Sequence, residues 1–340
     1  MANRLIVASA PHVHGPLSTR SLMSDVIIAL LPALAVSTYV FGWRVLTVTA
    51  TSIACCVLLE YLVQRFLVRG AVTITNLSAV VTGLLLAMNL PVNIPLWIVA
   101  VGAVVAICVA KMPYGGLGKN LFNPAIAARV FLLIAYPVQM TSFPMPKLAG
   151  ADAFSGATPL AAAKNSFISS TSGATETIDK TAAAIDGFGS LDISSLFAGT
   201  IGGSFGEVSA LALLLGGIYL LLRRVISWHI PVAVLGTMAL FGVAYAGATY
   251  GSGSILYQVP LFHLLAGGAL LGALFMATDY VTSPMTGRGM IIYGVGIGAI
   301  TMIIRLWGSL PEGMSFAILI MNSVVPLINK YVKPRRFGAK

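Results

Sequence analysis

Thr158 is the side chain in this sequence best placed to receive a covalent group. It closes the run Asp152-Ala153-Phe154-Ser155-Gly156-Ala157-Thr158 and is followed by Pro159. Small residues before it and a proline after it leave its hydroxyl open to a modifying enzyme in an exposed loop. Four letters of the run recur in Ser172-Gly173-Ala174-Thr175. The tetrad alone is therefore ordinary in a segment rich in Ala, Ser, Gly and Thr. The copies differ three positions ahead of the serine, where the first has Asp152 and the second Ser169.

Two further polar stretches interrupt apolar sequence. Asn120, Asn123 and Pro124 stand where an apolar segment begins. Proline lacks an N–H and suits the first position of a helix, so one reading makes Asn123 its cap. In the other, the two amides hold a polar ligand or line an ion path. The second stretch is Thr278-Asp279-Tyr280-Val281-Thr282-Ser283-Pro284-Met285-Thr286. Asp279 is an acid at a membrane boundary among hydroxyls. It sits either in a solvated turn closed by Pro284 and Gly287, or at a site where Asp279 and Thr282 hydrogen-bond a ligand or offer oxygens to a cation.

Isolated charges complete the inventory. Arg129 falls inside an apolar segment, where a charge is costly and marks function, unless it snorkels to the membrane face. Glu60 is expected to pair with Arg65 or reach water. Asp25 with Ser24, and later Glu207, read as first-turn acids and caps of their segments. His12, His14, His229 and His263 make no metal set, and Cys55, Cys56 and Cys108 lie in apolar runs without metal-ligand spacing.

These residues are embedded in a chain that is 58% hydrophobic and 9% charged, against about a quarter charged in soluble domains. The composition implies an all-α polytopic membrane protein, a single membrane domain over residues 1–340. Apolar runs of membrane-spanning length fall at 23–41, 45–64, 76–91, 94–111, 122–140, 208–222, 230–248, 258–278, 289–307 and 313–330, about ten transmembrane helices. No cleavable leader is expected, because Arg4, Pro11, His12, His14, Pro16 and Arg20 interrupt the first twenty residues.

The net charge of +10 fits basic cytoplasmic loops better than nucleic acid. With the N-terminus inside, Arg4, Arg20, Arg65, Arg69, Lys111, Lys119, Arg223, Arg224, Arg288, Lys330, Lys333, Arg335, Arg336 and Lys340 fall on the cytoplasmic side. Arg44, Lys147, Lys164, Lys180 and Arg305 fall opposite. The expectation is cytoplasmic termini, a cytoplasmic segment over 1–22, and a long extracytoplasmic loop over 141–207 between helices five and six. Gly83 to Pro91 resembles Gly272 to Tyr280 at the ends of the third and eighth helices, which suggests two inverted five-helix halves.

Four stretches together resemble the D subunit of the Rnf electron-transport complex, in the family that includes the B subunit of the sodium-pumping NADH:quinone reductase. They are Ala10-Pro11-His12, Gly118 to Ala125, Asp152 to Leu160, and Thr278 to Thr286. The short N-terminal segment favours the Rnf subunit. Tyr280 departs from the smaller residue or proline expected there. The resemblance implies a flavinylation motif of Asp152, Ser155, Gly156, Ala157 and Thr158, with FMN joined to the Thr158 hydroxyl through a phosphodiester. The motif requires the aspartate, which singles out Thr158 over Thr175, and Phe154 would stack on the flavin or anchor the loop.

The resemblance also implies a non-covalent riboflavin, for which Asn120, Asn123, Asp279 and Thr282 are candidates. No metal ligand and no complete active site are expected in the chain alone. The implied activity is electron transfer between ferredoxin and NAD coupled to Na+ or H+ translocation in the bacterial cytoplasmic membrane. Partners would be flavin- and iron–sulfur-bearing Rnf subunits, membrane lipid and a flavin transferase. A small-solute permease, a quinone-reductase-type subunit and a cofactor-free anchor subunit are the competing readings.

Overall fold

The computed structural model describes residues 18–68, 73–144, 155–156, 160, 197, 203–250, 255–308, 310 and 312–333. Asp152, Ala157, Thr158 and Thr175, most of the 141–207 segment, and residues 1–17 lie outside these ranges.

Helix α1 (Thr19–Phe41) starts where the Ser18 hydroxyl accepts a hydrogen bond from the Ser21 amide, and Gly42 ends it at φ 84°. That start precedes the expected one by a turn. Asp25 is therefore not a first-turn acid: it is buried and accepts from Tyr219 (3.0 Å) and Arg223 (3.3 Å). Helix α2 (Arg44–Leu62) runs into a π-helical turn at Val63–Val68. Helix α3 (Ser78–Met88) is short, preceded by Leu77 in the left-handed region at φ 63°, ψ 7°. Helix α4 (Leu96–Val104) continues as a π-helical turn to Lys111.

Helix α5 (Pro124–Ala135) begins at its proline and stops at Tyr136, earlier than expected. Pro137 disfavours helical geometry in the residue before it, and a separate turn, α6 (Pro137–Thr141), follows. Strands β1 (Phe143–Pro144) and β2 (Ser155–Gly156) pair antiparallel, Phe143 opposite Gly156.

The second half comprises α7 (Ala210–Leu222), α8 (His229–Tyr250), α9 (Ile255–Leu265), α10 (Ala269–Leu271) with a π-helical extension Gly272–Met276, α11 (Gly287–Trp307) and α12 (Met314–Tyr331). The single helix expected over 258–278 is broken. Gly267 and Gly268 take φ +67° and +66°, and the two pieces meet at a 63° bend. Among the described residues, five helices are long and apolar enough to cross a membrane, or six with the bent pair as one span; α3, α4 with its extension, α5 and α7 are shorter and apolar.

Packing repeats between the halves. Helix α2 packs on α3 and α4, as α8 packs on α9 and α11, while α1 meets α7 and α5 meets α12. Both short third helices start after a left-handed residue, Leu77 in one half and Gly268 in the other. Buried side chains from both halves merge into one apolar core.

The α2–α3 seam depends on Gly83. A Cβ there would meet Ile53 Cα at 2.8 Å, and the Gly83 carbonyl accepts from Ser52 Oγ at 2.7 Å. Small residues allow such backbone approach in membrane helices. Gly83→Val is expected to cost about 1–3 kcal/mol by overpacking, read as a lower melting temperature of the purified protein. A melting temperature equal to wild type would contradict the close packing.

Candidate functional site

A partly open cavity of about 90 Å³ lies between α1, α3, the start of α5, the end of α7 and the segment after α10. Its wall is mostly apolar, with Met23 and Val26 from α1, Val81 and Leu85 from α3, and Phe275. The polar residues of the lining are Ser78, Thr82, Lys111, Asn120, Asn123, Thr278, Asp279 and Tyr280. The two polar stretches picked out in the sequence, far apart along the chain, thus meet at one place.

Asn123 holds that meeting together. Its Oδ1 accepts from the amides of Ala125 (3.1 Å) and Ile126 (3.4 Å), capping α5. Its Nδ2 donates to the Met276 carbonyl at 3.1 Å. The capping reading of Asn123 and Pro124 is right, and the same side chain also ties the start of α5 to the end of the α10 extension. Asn120 differs: it is 8% exposed, and its Oδ1 has no hydrogen-bond partner among the described residues. A buried amide oxygen without a donor costs about 1–3 kcal/mol, which sets Asn120 apart from the satisfied Asn123 as an acceptor beside the cavity. Asp279 lines the cavity and accepts from Thr282 Oγ1 at 3.1 Å. Thr282 is buried and orients Asp279 rather than lining the wall itself. Tyr280 donates to the Val225 carbonyl, fixing this segment against the end of α7.

Lys111, which the charge pattern puts on the cytoplasmic side, is an interior residue beside the cavity. It is 1% exposed, with Nζ 2.5 Å from Glu60 Oε2 and 2.8 Å from Ser78 Oγ. Glu60 therefore pairs with Lys111, not Arg65, and Gln64 donates to its other oxygen at 3.2 Å. The π-helical turn that ends α4 carries Lys111 inward. A basic residue closing an apolar run reads as a loop residue by hydropathy, and nothing local separates the two cases.

Arg305, assigned outside by its position at the end of an apolar run, is also buried. It donates to the carbonyls of His263 (2.5 Å), Ala266 (2.9 Å) and Gly267 (2.6 Å), satisfying the end of α9. Leu160, two residues after Thr158 in sequence, is buried; its Cδ2 and the Arg305 Nη2 both flank Gly267. Arg129 does not snorkel. It is buried among Asn89, Glu207, Glu312 and Ser315. Glu207 lies in a 3-10 turn before α7 and is an ion-pair partner, not a first-turn acid.

A helical bundle with many exposed large apolar residues such as Trp43, Leu222 and Leu240, paired halves and polar groups gathered where short helices end has the build of an integral membrane protein of the transport type. The chain belongs to the NQR2, RnfD, RnfE family, whose description matches residues 6–338. It is 46% identical over 336 residues to the D subunit of the Na(+)-translocating ferredoxin:NAD(+) oxidoreductase complex of Acetobacterium woodii, covering 98% of this chain and 95% of that protein. It is 42% identical over 339 residues to the D subunit of the proton-translocating ferredoxin:NAD(+) oxidoreductase complex of Clostridium ljungdahlii, covering 99% and 97%. The D subunit of the ion-translocating oxidoreductase complex of Vibrio atlanticus is 40% identical over 98% of this chain and 99% of its own length. The resemblance carried by the four sequence stretches is borne out.

Proposed function

We propose that this chain is the D-type membrane subunit of an Rnf-type complex, coupling electron transfer between ferredoxin and NAD to Na+ or H+ translocation. Near full-length similarity to subunits so named supports the reading. The structural observation that carries it is the meeting of Asn120, Asn123, Thr278 and Asp279 around one cavity. The lining chemistry suits a flavin: apolar side chains for a ring system, polar side chains for its heteroatoms, and an Asn120 Oδ1 with no partner among the described residues to receive a donor. Asn120 and Asp279 would hold the polar edge of a riboflavin, while Asn123 and Thr282 fix the two segments that present them. Bound flavin supplies electron transfer, which none of these side chains provides; the protein's part is to bind, orient and exclude water. FMN on Thr158 would be the second carrier, with Asp152, Ser155, Gly156 and Ala157 read by a flavin transferase.

The topology follows. Ten crossings arise if the four shorter apolar helices span together with the five long helices and the bent pair. The Arg223–Asp25 pair puts the end of α7 beside the start of α1. Arg20, Arg223, Arg224, Arg288 and Lys330 flank helix ends on that side, which the positive-inside rule makes cytoplasmic. Both termini would then be inside and the 141–207 segment outside, in a bacterial cytoplasmic membrane. Flavin- and iron–sulfur-bearing Rnf subunits would be the partners.

Acid extraction of the purified complex, followed by flavin analysis, tests this. Wild type is expected to release non-covalent flavin, and Asn120→Ala with Asp279→Ala to release less than about a tenth as much, the loss of two polar contacts at about 1 kcal/mol or more each. A wild type that releases none would favour the permease reading; unchanged release from the variant would move the flavin elsewhere.

A further inference from the structure

The buried charges around Arg129 are not part of the cavity. Helix α11 has 21 residues, so it is about 30 Å long. The cavity residues Thr278 to Val281 precede its start, and Arg305 lies near its end. Glu312 follows in the turn before α12. The cluster therefore runs from mid-body, where Arg129 sits about 9 Å along α5 from Asn123, to the face opposite the cavity.

One guanidinium joins the two halves there. Arg129 Nη1 donates to Asn89 Oδ1 (2.9 Å) and to Ser315 Oγ (2.8 Å). Its Nη2 pairs with Glu312 and lies 3.5 Å from Glu207 Oε1. Asn89 and Arg129 belong to the first half; Glu207, Glu312 and Ser315 belong to the second. The tie is incomplete, because Glu207 Oε1 is buried without a hydrogen-bond donor among the described residues. Buried charges of this kind are often neutral or unfavourable compared with apolar replacements, and an under-satisfied network is one that a change in its surroundings can open. The repeat gives the place meaning. Asn89 ends the α3 half-helix as Thr278 follows the α10 extension, and Ser315 stands near the start of α12 as Asn123 stands at α5. The cluster fills with side chains the mirror position of the cavity.

We propose that Arg129 is a positioning residue that closes the membrane body on the side away from the cavity, and that ion passage requires this tie between the halves to open. The proposal rests on the reading of the chain as part of an ion-translocating complex. The whole complex, reconstituted in liposomes with reduced ferredoxin and NAD, is assayed for electrons transferred and for ions moved, by labelled Na+ and by a pH dye. A charge-balanced double variant, Arg129→Gln with Glu312→Gln, removes the tie and one charge of each sign, leaving Glu207 to balance the buried Arg305. It is expected to keep electron transfer within about twofold, to lose at least about fivefold in ions moved per electron, and to leak ions without ferredoxin, as a closed state losing its bias would. Asn89→Ala, which removes one acceptor only, is expected to leak less in the same direction. Wild-type ion-to-electron ratios in both variants, or equal loss of electron transfer and ion movement in both, would overturn the proposal. Vesicles in which wild type itself moves no ions would instead sink the translocation reading.

Discussion

Thr158→Ala is expected to abolish ultraviolet fluorescence of the denatured protein band, while Thr175→Ala leaves it at the wild-type level. Denaturation removes any flavin held by shape and hydrogen bonds, so surviving fluorescence reports a covalent link. The link would join the Thr158 oxygen to the FMN phosphate with loss of water, and the peptide mass should rise by FMN less water. The two threonines share Ser-Gly-Ala before them and differ in the aspartate, Asp152 against Ser169. Asp152→Ala should therefore mimic Thr158→Ala without touching the acceptor oxygen. If the flavin on Thr158 is an obligatory electron carrier, ferredoxin-to-NAD transfer should fall at least about a hundredfold, the scale for removing a group that the reaction requires. A dark band in every lane, from a host that contains the transferase, would leave the permease or the anchor subunit as the better reading.

The second large effect concerns Lys111 and Glu60. Lys111→Met alone is expected to cost about 3–5 kcal/mol, because Glu60 would remain charged and buried. Glu60 is 1% exposed, and without Lys111 its Oε2 loses the 2.5 Å contact. Adding Glu60→Leu should restore most of the lost stability, since a buried ion pair replaced by apolar residues of similar size is often neutral or better. Heating the purified protein in detergent and measuring the fraction that stays monodisperse gives the order: wild type and double variant high, single variant low. A single variant as stable as wild type would mean that Glu60 is neutral or hydrated. Ser78, held by Lys111 at 2.8 Å, also lines the cavity, so the single variant should lose non-covalent flavin as well.

The helical plan was legible in the sequence because apolar runs broken by Pro and Gly are a local signal. The cap at Asn123 and Pro124 was legible for the same reason: a cap acts within one turn. Asn120 and Asp279 could be named as candidates because polar residues are conspicuous in such a chain. Their shared cavity was hinted at only by a faint likeness between the third and eighth helices. The buried charges were read wrongly in most cases. Lys111 and Arg305 close apolar runs, which is where solvated loops begin, and only a partner 51 residues away or carbonyls at a distant helix break make them interior. Asp25 failed because the true cap, Ser18, lies earlier than the apolar run suggests. Glu207 offered one usable hint, an acid just ahead of an apolar helix and a long polar segment behind it, but its partner was not deducible. The break at Gly267 and Gly268 was not legible, because the apolar run continues through the glycine pair and only the structure shows the 63° bend.

The spacing of the buried ion pairs bears on biogenesis. Glu60 and Lys111 are 51 residues apart and can neutralise each other while the first half is still being made. Arg129 emerges 183 residues before Glu312, which at roughly 5–20 residues per second is about 10–40 s of synthesis. Through that interval the arginine sits in a nascent bundle with Asn89 as its first available partner. The first half can thus be inserted early, yet its fifth helix reaches its final seat only when the last helix arrives.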